Sequence, residues 1–258
     1  MARKQTSTPK VATKSRRNAK VAKPKTEKPL HDVTFPNESA SYRAARNDLL
    51  KAEMDLRRQI EHVATMRAKL PPGGGVPADY TFEEGGKSFD DTQTVRQIKL
   101  SELFGDKQTL VAYSYMYGPQ MAKACPSCTS IIDGLNGAAE HIGQRVSLVV
   151  IAKSPIARIR EIARQRGWQR LRLLSSASNS YNRDYQGEKA DGSQIPSLNV
   201  FIRKSGKIQH FFNTELLFAA RGRGRDPCHV DLIWPQWHVF DFTPEGRGNF
   251  YPKLSYAS

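Results

Sequence analysis

Two cysteines separated by a Pro-Ser pair, Cys125 and Cys128, are the residues of this chain best suited to chemistry. The thiolate is the reactive form of cysteine, and a free thiol with a pKa near ~8.5 is mostly protonated at neutral pH. With Cys125 at a helix N-cap and Pro126 at the first helical position, Cys128 falls on the third. Its backbone N–H then points at the Cys125 sulfur, and the helix dipole and Lys123 add positive potential. We therefore expect Cys125 to be an activated nucleophile.

This spacing also predicts the role of the second thiol. Cys125 would attack a substrate disulfide to form a mixed disulfide, and Cys128, one turn away, would displace the product and close the intramolecular bond. A Cys-x-x-Cys motif is a moderate signal alone and a strong one where it follows a buried strand and opens a helix. The expected partner is a protein or small-molecule disulfide or thiol, and no cofactor is expected.

The main alternative to a redox role is a zinc site. Cys228, His229 and His238 could supply further ligands to the cysteine pair. Structural zinc sites usually take their ligands from nearby turns, and these residues lie about a hundred positions further along. We therefore expect no metal, a packed Cys228 and ordinary surface histidines.

Length, cysteine content and hydropathy bound the class of protein. The 258 residues suffice for one large domain with extensions. Three cysteines are too few for the dense disulfide framework of a secreted scaffold and favour a reducing compartment. No stretch approaches the roughly 20 apolar residues of a membrane span, and no secretory signal is visible. These features predict a cytoplasmic protein.

The net charge of +15 is concentrated at the amino terminus. Residues 1–30 contain ten Lys or Arg and one acid, which leaves +6 for the remainder. Such a polar segment is expected to be disordered, and we assign residues 1–32 to a basic tail. A solvated extension is the favoured interpretation. Weak, salt-dependent contact with nucleic acid or an anionic membrane, and a targeting peptide, remain alternatives.

The elements that must position the dithiol follow a helical arm. Apolar residues at spacings of three and four from Tyr42 to Leu70 predict one long amphipathic helix that ends at Pro71-Pro72, within an arm of residues 33–75. The main domain, residues 76–220, alternates strands with helices. The predicted strands are 109–115, 145–152, an edge strand 171–174, and a hairpin of 197–202 and 207–212. The predicted helices are Pro126 to about 141, 156–166 with Ser154 as N-cap, and a short one near 214–220. A long surface loop, 175–195, separates the two halves.

Four segments carry a resemblance to a known family. They are Tyr115-Met-Tyr-Gly-Pro119, Cys125-Pro-Ser-Cys-Thr129, Tyr42-Arg-Ala-Ala-Arg-Asn-Asp-Leu-Leu50 and His229-Val-Asp-Leu-Ile-Trp-Pro235. Together they resemble, over roughly residues 33–250, a bacterial thioredoxin-like family of predicted dithiol–disulfide oxidoreductases known as a domain of unknown function. The resemblance implies an α/β fold, a thioredoxin-like mixed sheet flanked by helices, with a helical arm before it and an aromatic extension after it.

A proline before the predicted hairpin extends this resemblance to the site. Ile195-Pro196-Ser197-Leu198 is similar to the thioredoxin segment whose proline is cis and faces the dithiol. A cis bond costs about 0.5 to 1 kcal/mol and exposes the preceding backbone for pairing with a substrate chain. The resemblance thus implies substrate contacts for Pro196, Ile195 and Pro126. A plain proline at the start of a strand is the alternative.

Three alanines depart from the thioredoxin and peroxiredoxin patterns. Thioredoxins have a tryptophan before the first cysteine and a buried aspartate in the preceding strand, where this chain has Ala124 and Ala112. Residues 100–104 resemble the entry to peroxiredoxins, but Ala122 stands where a peroxide site requires Thr or Ser. Peroxidase activity is therefore the second hypothesis, and a scaffold without turnover is the third.

The carboxy-terminal segment, residues 221–258, combines an arginine-glycine run with aromatic residues. Its Trp234, Trp237, Phe240 and Phe242 are more typical of a cap over the core than of a binding platform. Arg221 to Arg225 is expected to be a mobile loop that steers acidic partners if it folds over the dithiol.

Overall fold

This computed structural model describes residues 30–220 and 228–256 of the chain. The expectations for residues 1–29 of the basic tail and for the arginine-glycine run at 221–225 lie outside the described residues. The chain divides into two compact units, one ending at Ala64 and one beginning at Thr65. Among the described residues, no helix has the length and apolar character required to cross a membrane.

The predicted long helix is present as α1, Ala40–Ala68. None of its side chains is buried, and its apolar positions, including Leu49, Leu56 and Ile60, are exposed. Ion pairs one turn apart, such as Arg57 with Glu61 at 3.0 Å, stabilise it locally. The helix ends just before Pro71-Pro72, as expected from the missing proline N–H groups.

The second unit is built on a seven-stranded mixed sheet in the order β2-β1-β5-β4-β3-β6-β7. The strands are β1 (Thr81–Gly85), β2 (Val95–Lys99), β3 (Thr109–Tyr115), β4 (Ser147–Ala152), β5 (Arg172–Ser175), β6 (Ser197–Lys204) and β7 (Lys207–Asn213). The central strand β3 pairs in parallel with β4 and antiparallel with β6. The β3-helix-β4 crossover followed by the β6–β7 hairpin confirms the thioredoxin-like mixed sheet.

Helices cover this sheet on both sides. They are α2 (Leu100–Leu103), α3 (Pro126–Gly143), α4 (Ile156–Arg166), α5 (Tyr181–Asp184) and α6 (Pro235–Asp241), with 3-10 turns at Glu215–Phe218 and Asp231–Ile233. Alternation along β3 sends Tyr113 and Tyr115 into the core beneath α3 and α4, and Leu110 and Ala112 into the core on the other side. We call the first side the dithiol face and the second the opposite face.

Several local predictions are corrected by the structure. The strand predicted at 171–174 is interior, since β5 lies between β4 and β1. Pro155 rather than Ser154 caps α4, because the Ser154 hydroxyl donates to the carbonyl of Gly118 at 3.1 Å. The expected surface loop at 175–195 contains α5, whose Tyr181 is fully buried on the opposite face. The short helix near 214–220 is a 3-10 turn.

Candidate active site

The dithiol lies where the central strand passes into its crossover helix. After β3 ends at Tyr115, a loop through Gly118 returns so that the Cys125 N–H donates to the carbonyl of Met116 at 3.1 Å. Helix α3 then begins at Pro126, with Cys125 as its N-cap and Cys128 at its third position. Both expected placements are confirmed. Proline is well suited to the first helical position, because the backbone N–H that it lacks would have no acceptor within the helix.

Cys125 is half-buried and its thiolate is strongly favoured. A hydrogen bond from the Cys128 thiol lowers the pKa of Cys125 to about 6, against burial that raises it. The backbone N–H groups of Cys128 and Ser127 and the hydroxyl of Tyr251 contribute further. The backbone N–H groups act electrostatically, since the sulfur does not make a formal capping hydrogen bond. Cys125 is therefore largely ionised at neutral pH, as a nucleophile requires.

Cys128 has the opposite character. Only 2% of its surface is exposed, and it lies in the apolar core of the dithiol face. Its hydrogen bond to the Cys125 sulfur and its burial both raise the pKa of Cys128 well above the ordinary value. The pair thus shares one proton at neutral pH, with the charge on the accessible sulfur and the proton on the buried one.

The first turn of α3 is fixed to the central strand beneath it. The hydroxyls of Tyr115 and Thr129 are hydrogen-bonded at 2.6 Å within the core. Thr129 also donates through its backbone N–H and its hydroxyl to the carbonyl of Cys125, at 3.0 and 2.9 Å. The Cys125 backbone is therefore positioned by a strand residue, which limits the movement of its sulfur relative to Cys128.

The loop that precedes the dithiol is hydrogen-bonded to α4 and to the residues between β4 and α4. Arg158 donates to the carbonyls of Pro119 and Met121, at 3.1 and 2.6 Å, and its guanidinium lies over the ring of Tyr117 at 4.6 Å. The N–H of Ser154 donates to the carbonyl of Tyr117 at 2.9 Å. Lys123 is exposed on the same loop, and its contribution to the thiolate stays a prediction.

The carboxy-terminal segment covers α3 and supplies a residue that the sequence did not indicate. The Trp234 indole N–H donates to the hydroxyl of Ser130 at 2.9 Å, and a Cβ at Gly134 would lie 3.2 Å from Pro235. Further along the segment, Tyr251 directs its hydroxyl toward Cys125 and Ser127. Trp234 and Trp237 pack on the core of the dithiol face as the expected cap, whereas Phe242 is 85% exposed and does not belong to it. Tyr251 extends the cap to the reactive sulfur.

The expected cis bond before Pro196 is wrong. The described residues contain no cis peptide bond, so Ile195–Pro196 is trans, the isomer favoured by about 0.5 to 1 kcal/mol. The N–H of Ile195 is used within the fold, donating to the carbonyl of Gly187 at 2.9 Å. Pro196 is half-buried and directly precedes β6, whose Ser197 pairs with Ser114 near the end of β3. The alternative of a proline at the start of a strand is the correct one, and substrate contacts of Pro196, Ile195 and Pro126 stay predictions.

The zinc alternative finds no support in the geometry. Within residues 30–220 and 228–256, no three His, Cys, Asp or Glu side chains form a group that could hold a metal ion. His238 is exposed, as expected, but Cys228 is exposed rather than packed. Cys228, His229 and His238 are therefore not brought to the dithiol.

A cavity of about 970 Å³ lies elsewhere in the second unit. Its wall includes Asn199, His210 and Asn213, which are linked through the Asn199 amide oxygen at 3.0 and 2.7 Å. Asn199 pairs with Ala112, whose side chain lies on the opposite face of the sheet. The chemistry of the cysteine pair therefore does not take place in this cavity.

Fold and site together define a thioredoxin-like protein with a Cys-Pro-Ser-Cys dithiol at the N-terminus of its crossover helix. Residues 32–256 match the family described as bacterial protein of unknown function, DUF899. The chain belongs to this family, which confirms the resemblance seen in the sequence. No curated protein matches the chain at a significant level.

Solved structures similar to the chain include peroxiredoxins. Peroxidoxin BcpB from Mycobacterium tuberculosis has 17% identity and a TM-score of 0.40, covering 66% of this chain and 97% of its own. The reduced 2-Cys peroxiredoxin of Plasmodium vivax has 17% identity and a TM-score of 0.41, covering 66% and 99%. AhpC of Enterococcus faecalis has 8% identity and a TM-score of 0.43, covering 70% and 98%. At these values the similarities do not bear on the function of the chain.

Proposed function

We propose that this protein is a thiol–disulfide oxidoreductase in which Cys125 is the nucleophile and Cys128 the resolving thiol. The observation that carries the proposal is the placement of the two thiols on the first turn of α3. The half-buried Cys125 is the N-cap and has a pKa lowered to about 6, and the buried Cys128 lies one turn away. Structural cysteines in an apolar core are inert, whereas this arrangement favours the thiolate at one defined position.

The reaction proceeds in two displacement steps. The Cys125 thiolate attacks one sulfur of the substrate disulfide, forms a mixed disulfide and expels the first substrate thiolate, which takes a proton from solvent. The Cys128 sulfur then attacks Cys125, forms the Cys125–Cys128 bond and expels the second substrate thiol, to which its proton passes. The dithiol loses two electrons and the substrate disulfide gains them. The reverse sequence oxidises a substrate dithiol.

The surface around Cys125 bears on the class of substrate. Cys125 is half-buried, and the hydroxyl of Tyr251 from the carboxy-terminal segment interacts with its sulfur. We propose protein or small-molecule disulfides as substrates and the cytoplasm as the compartment, where such dithiols are kept reduced.

Trapping of the mixed disulfide tests the assignment of the two cysteines. We expect Cys128→Ser to accumulate a covalent adduct with oxidised glutathione at Cys125, because the second displacement is lost. Cys125→Ser should accumulate no adduct at Cys128, which is buried and protonated. Mass spectrometry of digested protein locates the adduct.

Cys228→Ser is the matched control, since Cys228 is exposed and lies outside the dithiol. It should turn over like the unaltered protein. Equal trapping by Cys125→Ser and Cys128→Ser would contradict the assignment.

A further inference from the structure

We propose that Tyr113 donates a hydrogen bond to the sulfur of Cys128 as that sulfur becomes negative, and so accelerates closure of the Cys125–Cys128 disulfide. This inference rests on the proposed function and concerns its second step. It assigns a role to a buried tyrosine that the first step does not use.

The first observation is a buried donor without a formed hydrogen bond. Tyr113 is fully buried in the core of the dithiol face, and its hydroxyl makes no hydrogen bond of normal geometry. On the same strand and face, the Tyr115 hydroxyl is bonded to Thr129 at 2.6 Å. A buried hydroxyl left unpaired destabilises a fold, and its retention in a native site calls for an explanation.

The second observation is the neighbour of that hydroxyl. Tyr113 and Cys128 lie in the same core cluster, and Cys128 is the side chain that interacts most strongly with the Tyr113 hydroxyl. A neutral thiol is a weak acceptor, which agrees with the incomplete hydrogen bond in the reduced state. A thiolate is a far better acceptor, and hydrogen bonds to charged groups are the strong ones.

The chemistry of the second step creates that thiolate inside the core. Once Cys125 is joined to substrate, it no longer accepts the Cys128 proton in a hydrogen bond. Cys128 must then lose its proton, which passes to the departing sulfur, while its electron pair forms the bond to Cys125 and the bond from Cys125 to substrate breaks. A full charge on a sulfur that is 2% exposed is costly unless a donor faces it.

Tyr113 serves as a donor and not as a base. Burial raises the pKa of Tyr113 well above its ordinary value, so the phenol keeps its proton throughout. The titratable groups that interact with it are Cys128, Cys125 and Tyr115. No carboxylate base is needed for this step, because the Cys128 proton leaves with the substrate thiol. Tyr113 only stabilises the negative charge that develops on the Cys128 sulfur.

A reagent that reports both steps tests the proposal. Dithiodipyridine releases one thiopyridone when Cys125 forms the mixed disulfide and a second when Cys128 closes the ring. In a Cys228→Ser background, which removes the other accessible thiol, stopped-flow absorbance separates the two phases. We expect Tyr113→Phe to slow the second phase about three-fold to ten-fold and to leave the first unchanged. In Tyr113→Phe a smaller fraction of Cys128 is thiolate, which slows the second phase. The remaining thiolate is more basic and therefore more nucleophilic, which offsets part of this loss of rate.

Tyr181→Phe is the matched control. Tyr181 is also fully buried with a hydroxyl that makes no formed hydrogen bond, but it lies on the opposite face of the sheet. The control removes the same atom from the same kind of environment, so both phases should be unchanged. The pH dependence of the second phase should move to higher pH in Tyr113→Phe only, a shift that a general loss of stability would not produce.

Two results would overturn the proposal in distinguishable ways. A second phase equally fast in Tyr113→Phe and the unaltered chain removes the role of Tyr113 and leaves the oxidoreductase assignment in place. Absence of any second phase in the Cys228→Ser protein itself removes the proposed function, and the inference with it.

Discussion

The two faces of the sheet bury similar aromatic cores but differ in what those cores contact. On the dithiol face, Tyr113 and Tyr115 lie beneath α3 with Cys128, and Trp168 donates through its indole N–H to Asp133 at 2.7 Å. On the opposite face, Tyr181 contacts Phe82, with ring centroids 5.3 Å apart. Among the residues that the structure describes, each face holds one tyrosine whose buried hydroxyl has no formed hydrogen bond. Only on the dithiol face does that hydroxyl meet a thiol.

The two faces of the sheet therefore differ in what they contribute: the opposite face contributes stability, and the dithiol face contributes both stability and chemistry. Phe82, Tyr181 and Phe201 are fully buried and supply packing. The residues of the dithiol face supply packing as well, but the first turn of α3 also holds a charge and a proton within one pair of sulfurs. Substitutions on the two faces should therefore have effects of different kinds.

The largest effect on stability is expected from the opposite face. Phe82→Ala removes a fully buried ring and leaves a cavity beside Tyr181, so the free energy of unfolding should fall by about 3 to 5 kcal/mol. Urea unfolding measures this loss. In the folded fraction, the pH dependence of Cys125 alkylation should be unchanged. A shift in that profile comparable to the one produced by substitutions near the dithiol would break the separation between the faces.

A much smaller effect, on pKa rather than stability, is expected from the carboxy-terminal cap. Tyr251→Phe removes a donor to the Cys125 thiolate, so the pKa of Cys125 should rise by less than about one unit, because Tyr251 is largely exposed. Alkylation rates as a function of pH measure the shift. Tyr256→Phe is the control, since Tyr256 lies in the same segment but accepts from Arg166 at 2.8 Å. Equal shifts in both variants would mean that the segment acts as a whole.

The same pair of sulfurs predicts how stability of the reduced protein depends on pH. A thiol whose pKa is lowered by folding stabilises the folded state fully above its unfolded pKa, near ~8.5, and this contribution is lost as pH falls through the folded value, about 6 for Cys125. Folding raises the pKa of Cys128, so this thiol lowers stability only above its unfolded pKa, where it would be ionised in the unfolded chain but stays protonated in the folded one. Between these limits, stability due to the pair should rise with pH.

Local sequence was sufficient for the dithiol because its geometry is local. A proline at the first helical position and a spacing of three residues determine where both sulfurs lie relative to the helix end. The same holds for α4, which spans the predicted residues 156–166. It holds also for the hairpin, whose two turn residues, Ser205 and Gly206, have positive φ angles of 51° and 76°, as short hairpin turns require.

Long-range contacts explain what the sequence did not reveal. Strand β1 contains two glutamates and does not look like a core strand, yet Glu84 is buried there because Arg96 and Arg172 both donate to its carboxylate, at 2.8 and 2.9 Å. Because the sequence pattern does not reveal β1, it places the strand at 171–174 at an edge of the sheet. Ala112, which corresponds in the sequence to the buried aspartate of thioredoxins, lies on the opposite face, and the residue of β3 on the dithiol face is its neighbour Tyr113. The approach of Tyr251 to Cys125 depends on a fold-back of more than a hundred residues that no local pattern encodes.

The most direct test of the account is a redox titration of the reduced protein across a glutathione series, with alkylation and peptide mapping at each point. We expect two thiols to be lost together and reversibly, in a disulfide between Cys125 and Cys128 in which Cys228 takes no part. The midpoint should lie between about −120 and −270 mV, the span of known dithiol enzymes. A dithiol that stays reduced across the series, or a disulfide that involves Cys228 instead, would contradict the assignment of Cys125 and Cys128 as the redox-active pair.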